Sequence, residues 1–340
     1  MASSFCKGVA LACLIFSPSI SVTEAKGPSV PRPDPFADPE HDPYNPLRYI
    51  ASNTLTAIAV ALILSVALLQ TWCTIKWGGK YMLSMVIGAY FFAFGIAMRF
   101  GLHSHPQSKP IYVVFYLVVI LSPCGFIAAT YVLLGRLSRY LKCDEHLLVS
   151  PRRITMIFVA SDVITFLIQV GGGSTATAVD DPDIRNIGVK TVLVGLVLQL
   201  ASFVFFTAIF LLFIYRVHTQ ERAIWEMHRS KKWYDDWRVL VAALSVSCVG
   251  ILVRSVYRTI EFAEGFFGHL ATTEAYFYAL DTLPLFVAIA VYVPFWPGRL
   301  MRYNGYDSGV GVQSWHAMAD VQVKAPDPTV SSTSGTQHTQ

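Results

Sequence analysis

What most restricts this chain is a series of seven apolar stretches long enough to cross a lipid bilayer, at roughly 50–70, 81–98, 111–134, 154–171, 189–215, 239–257 and 276–296. A helix needs about 20 residues to cross the hydrocarbon layer. Hydrocarbon offers no partner to backbone N–H and C=O groups, so each stretch must satisfy its own and be a helix rather than an open strand. Composition agrees: 54% of the 340 residues are hydrophobic and 14% charged, the balance of a polytopic membrane protein. The expected fold class is therefore all-α, with seven transmembrane helices. The net charge of +4 is spread between the apolar blocks. This is no footprint for nucleic acid.

Loop charge gives the expected orientation. Arg136, Arg139, Lys142, Arg152 and Arg153 lie between spans three and four, and Arg216, Arg222, Arg229, Lys231 and Lys232 between spans five and six. An excess of Lys and Arg marks cytoplasmic loops, which places the amino terminus outside and the carboxyl terminus inside. Residues 1–25 read as a signal sequence, with Lys7 before the short apolar run "VALACLIF". Residues 26–49, which alternate proline with Asp and Glu, read as an extended extracytoplasmic tail. The helical domain is expected over 50–298, and 299–340 as a disordered cytoplasmic tail.

Polar groups inside apolar stretches are the functional clue, because each costs on the order of 3 kcal/mol in hydrocarbon unless it has a partner or a wet cavity. Asp162 and Gln169 lie seven residues apart in span four and share one helix face. They would either line a polar route or pair with neighbouring helices as structural hydrogen bonds. Arg254, Arg258 and Glu261 follow one another at spacings of four and three at the end of span six, and Glu274, Tyr278 and Asp281 repeat that spacing in span seven. Opposite charges across the two helices are expected to pair, Arg254 or Arg258 with Asp281 or Glu274. Such a network would serve the fold alone or line a head-group cavity. Pro123 and Pro284 fall inside spans and predict kinks, with freed carbonyls that neighbours must satisfy. "GGGS" at 171–174 reads as the outer end of span four, where glycine stops a helix and lets chains approach closely.

Other chemistries find little support. The six cysteines show no CxxC or CxH spacing, there is no GxxxxGK[ST] phosphate loop, and the histidines, His103 and His105 among them, lie outside the spans. Neither Asp162 nor Asp281 has the GxGD setting of an intramembrane aspartyl protease. No enzyme activity, metal or cofactor is expected.

The motifs "DPYNP", "LSPCGFIAATYVLLGRLSRYL", "IFVASDVITFLIQVGGG", "GLVLQLASFVFF" and "LVRSVYRTIEFAEGFFGHLATTEAYFYALDTLPL", in this order, resemble the seven-helix fungal RTA-like proteins, the lipid-translocating exporter family. The resemblance adds Tyr131, Gly135, Arg136, Gly171 to Gly173, Gln199 and Gly265 to the residues of interest. In span two the family's GxxxExxGYxxR pattern reads "GAYFFAFGIAMR", which keeps Gly88, Gly95 and Arg99 but places Phe92 at the usual Glu. The resemblance implies export or flipping of amphipathic lipids such as sphingoid long-chain bases, resistance to toxic amphiphiles, and a plasma-membrane location, with an endomembrane as the alternative. Membrane lipids and an amphipathic substrate are then the expected partners, and the candidate substrate-binding residues are Asp162, Gln169, Gln199, Arg254, Arg258, Glu261, Glu274 and Asp281. Topology alone fits a seven-helix receptor or sensor equally well, although no DRY or NPxxY motif is present.

Overall fold

The computed structural model describes residues 34–42, 44–141, 150–178, 181–220, 236–265 and 268–301. The stretches read as a signal sequence (1–25), as the basic loop segment 221–235 and as the carboxyl tail from 302 lie outside these, as do Lys142, Cys6, Cys13 and Cys143.

Every regular element among the described residues is helical: α1 Asn53–Trp77, α2 Leu83–Ser104, α3 Lys109–Tyr140, α4 Pro151–Ala178, α5 Pro182–Gln220 and α6 Trp237–Glu264. A single turn, His269–Thr272, precedes α7, which joins Glu274–Tyr276, a π-helical segment Phe277–Thr282 and Leu283–Ala290. The six helices α1 to α6 are each long and apolar enough to cross a membrane. The protein is thus a polytopic, all-helical membrane protein.

The helices outrun the apolar stretches that announce them, because a helix continues until caps or glycines stop it rather than where hydrophobicity ends. Ser52 caps α1 through its side chain, and Gly78 and Gly79, at φ of 77° and 99°, end it in a left-handed turn. Asp236 caps α6, and Gly265 at φ 82° closes it. Helix α2 runs past position 98 to Ser104, so Arg99 and His103 belong to the helix and not to a loop. Helix α4 runs through the three glycines, which do not stop it. The reading of "GGGS" as a helix terminator is corrected by its packing role: a Cβ at Gly172 would lie 2.7 Å from the Gly188 carbonyl and 2.8 Å from the Val192 nitrogen of α5. Small residues let backbones approach where no hydrophobic force drives helices together.

Consecutive helices are spatial neighbours, α7 returns to touch both α6 and α1, and α3 reaches α6. Tyr131, Phe158, Phe203 and Phe206 interlock α3, α4 and α5, with Tyr131 and Phe206 ring centroids 4.4 Å apart. Large apolar side chains such as Leu68, Ile75, Ile164, Phe205 and Tyr215 face outward, while Gln70, Arg99, Asp162, Arg254 and Asp281 are buried. Water would reverse that distribution; lipid favours it. The Trp296 side chain is fully buried and donates its indole N–H to the Gly78 carbonyl at 2.9 Å.

The glycine contacts set a test. Gly172→Ala should destabilise the bundle by about 1 to 3 kcal/mol. Gly171→Ala, where the added Cβ meets nothing within 4 Å, should hold or gain stability. Thermal unfolding of the two purified variants in detergent measures the difference.

Candidate functional site

Proline chemistry prepares the centre of the site. Pro123 inside α3 has no N–H to give to the carbonyl four residues earlier, and that carbonyl, Val119, instead accepts Arg254 Nη2 at 2.7 Å and the Ser122 hydroxyl at 3.1 Å. The same Arg254 donates Nε to Asp281 Oδ1 at 2.7 Å, and Arg258 donates Nε to that oxygen at 2.6 Å. Arg258 Nη1 then reaches Glu261 at 2.9 Å. Three helices, α3, α6 and α7, are thereby tied through one carboxylate whose residue has no exposed surface. The π-helical winding of α7 around Asp281 precedes Pro284, which cannot supply its own ladder bond.

The expected pairing of Arg254 and Arg258 with Asp281 is present; that with Glu274 is not. Glu274 Oε1 accepts Arg99 Nη2 at 2.6 Å and the Ser52 backbone N–H at 3.0 Å. Arg99 is fully buried and also donates both terminal nitrogens to the Tyr49 hydroxyl at 3.2 Å. The faces of Tyr49, Phe115, Phe277 and Tyr278 surround its guanidinium at 4.5 to 5.7 Å, a geometry in which ring quadrupoles favour the cation. Burial pushes the Tyr49 phenol above its ordinary range, so it remains protonated. Arg99 was legible only as a charge at a loop edge, and its four-residue step from Gly95 in the span-two pattern was the one signal that it belongs inside. Phe92, in place of the usual Glu, is fully buried edge-on against Phe126.

The second polar cluster lies on α4. Asp162 and Gln169 are both buried, as their shared face required. Gln169 Nε2 donates to Gln199 Oε1 at 2.9 Å, and Gln199 Nε2 contacts Cys124 Sγ at 3.7 Å, joining α4, α5 and α3. Neither carboxylate oxygen of Asp162 makes a hydrogen bond; the Tyr131 hydroxyl is its polar neighbour but falls short of bonding geometry. Of the other residues that the resemblance added, Gly135 accepts Arg139 Nε at 2.9 Å, and Arg136 lies over the Tyr81 ring at 4.2 Å.

Three cavities adjoin one another beside these clusters and share wall residues. An apolar groove lies among α3, α4, α5 and α6, with Tyr116, Gln169, Gly173, Val192 and Phe262 in its walls. A second space shares Tyr112, Tyr116, Val189 and Phe262 with it. That space in turn shares Tyr112, Tyr116, Glu261 and Ala271 with a polar chamber, which Tyr49, Arg99 and Arg258 also line. Of the eight sequence candidates, Gln169, Arg258 and Glu261 line this system; Asp162, Gln199, Arg254, Glu274 and Asp281 do not. The segment before α1, expected as an extended tail, is turned over its described residues and supplies Pro46, Leu47 and Tyr49 to the chamber. Asp42 and Asn45 in it are buried, and Asp42 accepts Gln107 Nε2 at 2.9 Å.

Comparison with known proteins settles the family. Residues 85–304 match the family described as RTA1 like protein. The chain belongs to the RTA1-like family. Among its relatives in Saccharomyces cerevisiae, Protein RTA1 is 29% identical over 237 residues, 70% of this chain and 72% of that one. Protoporphyrin uptake protein 1 is 28% identical over 189 residues, 56% of this chain and 59% of its own length. The sphingoid long-chain base transporter RSB1 is 25% identical over 253 residues, 65% of each chain. Against these two the chain spans less than two thirds of the relative. No solved structure matches.

Removing Asp281 should show what the ion pairs contribute. Asp281→Ala leaves two buried guanidinium groups without their shared anion and should destabilise the protein by about 3 to 5 kcal/mol. Exchange of the pair, Arg258→Asp with Asp281→Arg, should recover part of that loss. Unfolding of the purified variants measures both.

Proposed function

We propose that the protein is a transporter that moves amphipathic lipids, sphingoid long-chain bases or similar amphiphiles, across the membrane, and that it thereby protects cells from toxic amphiphiles. The observation that carries this reading is that an apolar groove and a charged chamber lie side by side and share Tyr112 and Tyr116 in their walls. An apolar groove gives a lipid tail surroundings equivalent to the bilayer hydrocarbon it leaves, so the tail can enter it at little cost. A head group in the chamber meets Glu261, which can accept from an ammonium, and the rings of Tyr112 and Tyr116, which can face a cation. Relatives named for transport of a sphingoid base and for uptake of protoporphyrin support transport over sensing. Asp281, held by two arginines, belongs to the scaffold of this reading and not to the binding surface.

The same proposal takes α7 as a seventh span, with the amino terminus outside, the carboxyl terminus cytoplasmic and the plasma membrane as the site of action. The basic residues Arg136 and Arg139 at the end of α3, and Arg152 and Arg153 at the start of α4, support that orientation. The groove, formed by the start of α3 and α5 and the end of α4 and α6, then opens in the outer half of the bilayer. An epitope at Pro35 should be labelled on intact cells, and one after Gln340 only after permeabilisation. Labelling of both from the same side refutes the orientation.

Transport itself is tested at Gly173, where a Cβ meets nothing within 4 Å and the residue lines the groove. Gly173→Trp puts an indole where the tail would lie, an overpacking cost of about 1 to 3 kcal/mol, so efflux of a labelled sphingoid base should fall by about tenfold. Abundance at the membrane should be unchanged. Unaltered efflux at normal abundance would exclude the groove as the path.

A further inference from the structure

Two aspartates buried within helices, Asp162 in α4 and Asp281 in α7, are treated oppositely. Asp281 has two guanidinium groups on one oxygen. Asp162 is 4% exposed, lies about halfway along α4, and has no ion pair and no hydrogen bond to either oxygen. A bare carboxylate in such a place carries an electrostatic cost of several kcal/mol even after local relaxation, so its charge must be cancelled by a bound cation.

The surroundings select which cation. On α3, Tyr131 and Cys124 interact electrostatically with Asp162; from α6, Cys248 interacts with Tyr131, and Arg254 with Cys124. Arg254 is committed to Asp281 and to the Val119 carbonyl. From α5 the polar neighbour of this region is Gln199, which carries no charge. A metal ion of the hard, oxygen-binding kind needs about six oxygen ligands. Asp162 has a single phenol beside it, and among the described residues no group of three His, Cys, Asp or Glu side chains could hold a metal. A proton needs only the carboxylate.

We propose that Asp162 binds a proton and that this proton is the coupling ion of transport. The inference rests on the transport reading above for its second half only. Gln169 connects the two: it lines the groove, sits seven residues and so about two helical turns from Asp162 on one face of α4, and is joined through Gln199 to Cys124 beside Asp162. A substrate in the groove touches the first member of a polar chain, Gln169 to Gln199 to Cys124, whose last member interacts electrostatically with the proton site. Arrival of substrate and loss of the proton then compete for the same arrangement of α3, α4 and α5.

Infrared difference spectra of the purified protein in lipid nanodiscs, acidic minus alkaline, test the site without any substrate. The wild type should show the C=O stretch of a protonated carboxylic acid, lost in Asp162→Asn and shifted in frequency in Tyr131→Phe, which keeps the acid but removes its polar neighbour. A band that persists in Asp162→Asn, or that ignores Tyr131→Phe, overturns the assignment. In proteoliposomes loaded with a fluorescent sphingoid base, an imposed pH gradient should accelerate wild-type movement and leave Asp162→Asn at its gradient-free rate. Gradient-independent movement by the wild type overturns the coupling. Absence of movement under every condition, with the infrared band intact, defeats the transport reading and with it the coupling, and leaves the proton site standing.

Discussion

One oxygen of Asp281 holds the rest of the site in place. Two guanidinium groups from α6 converge on it, and one of them continues to a carbonyl that Pro123 has released from the α3 ladder. Each part answers a deficit left by another. The proline leaves an acceptor without a donor, the arginines would be unpaired cations in hydrocarbon, and the carboxylate would be an unpaired anion. Together they satisfy one another, which is the condition under which buried charge is tolerated. The arrangement fixes the rotational setting of α6, since Arg254 and Arg258 must both face α7, and so points Glu261 and Phe262 toward the cavities.

The Arg99–Glu274 pair makes the corresponding tie at the other end of α7's first turns. Glu274 takes one bond from α2 through Arg99 and one from the backbone of Ser52 at the start of α1. The segment before α1 is thereby anchored, and Tyr49 is carried into the chamber wall. Arg99 lines the same chamber while held by Glu274, Tyr49 and the surrounding aromatic faces, and Arg258 and Glu261 are the other charged groups in its wall.

How much of this was legible depended on how local the signal was. Helices α1 to α6 followed from length and hydrophobicity, because lipid permits no other backbone solution. The Arg254, Arg258 and Asp281 cluster followed from spacings within single helices plus the demand for neutrality. The partner of Glu274 did not, because Arg99 lies 175 positions away and its place at the end of an apolar run makes it look like a loop charge. The glycines of α4 were half legible: the close approach they allow is present at Gly172, but the helix end they suggested is not. A Gly-rich helix end and a Gly-rich helix contact are written alike, and only the neighbour, Gly188, distinguishes them. The cavities were invisible for the same reason, since Tyr112, Gln169, Val189 and Phe262 meet only through tertiary packing.

The distribution of polar bonds also says where the bundle is held and where it is merely packed. The buried ion pairs lie on α2, α6 and α7, and Arg254 extends the network to α3. Helices α4 and α5 carry none of these. Toward α3 their polar links among the described residues are Thr155 to the Tyr131 carbonyl at 3.4 Å and Gln199 to Cys124 at 3.7 Å, both at the weak end of hydrogen-bond geometry. Toward each other they meet on Gly172, Gly188 and Gly195, where backbones approach closely. The groove runs along the seam between these two parts, with Tyr116 and Phe262 on the locked side and Gln169 and Val192 on the packed side. In the proposed transport, widening the seam for a lipid tail costs apolar contacts, which the tail itself replaces, and weak polar links such as these. It breaks no buried ion pair.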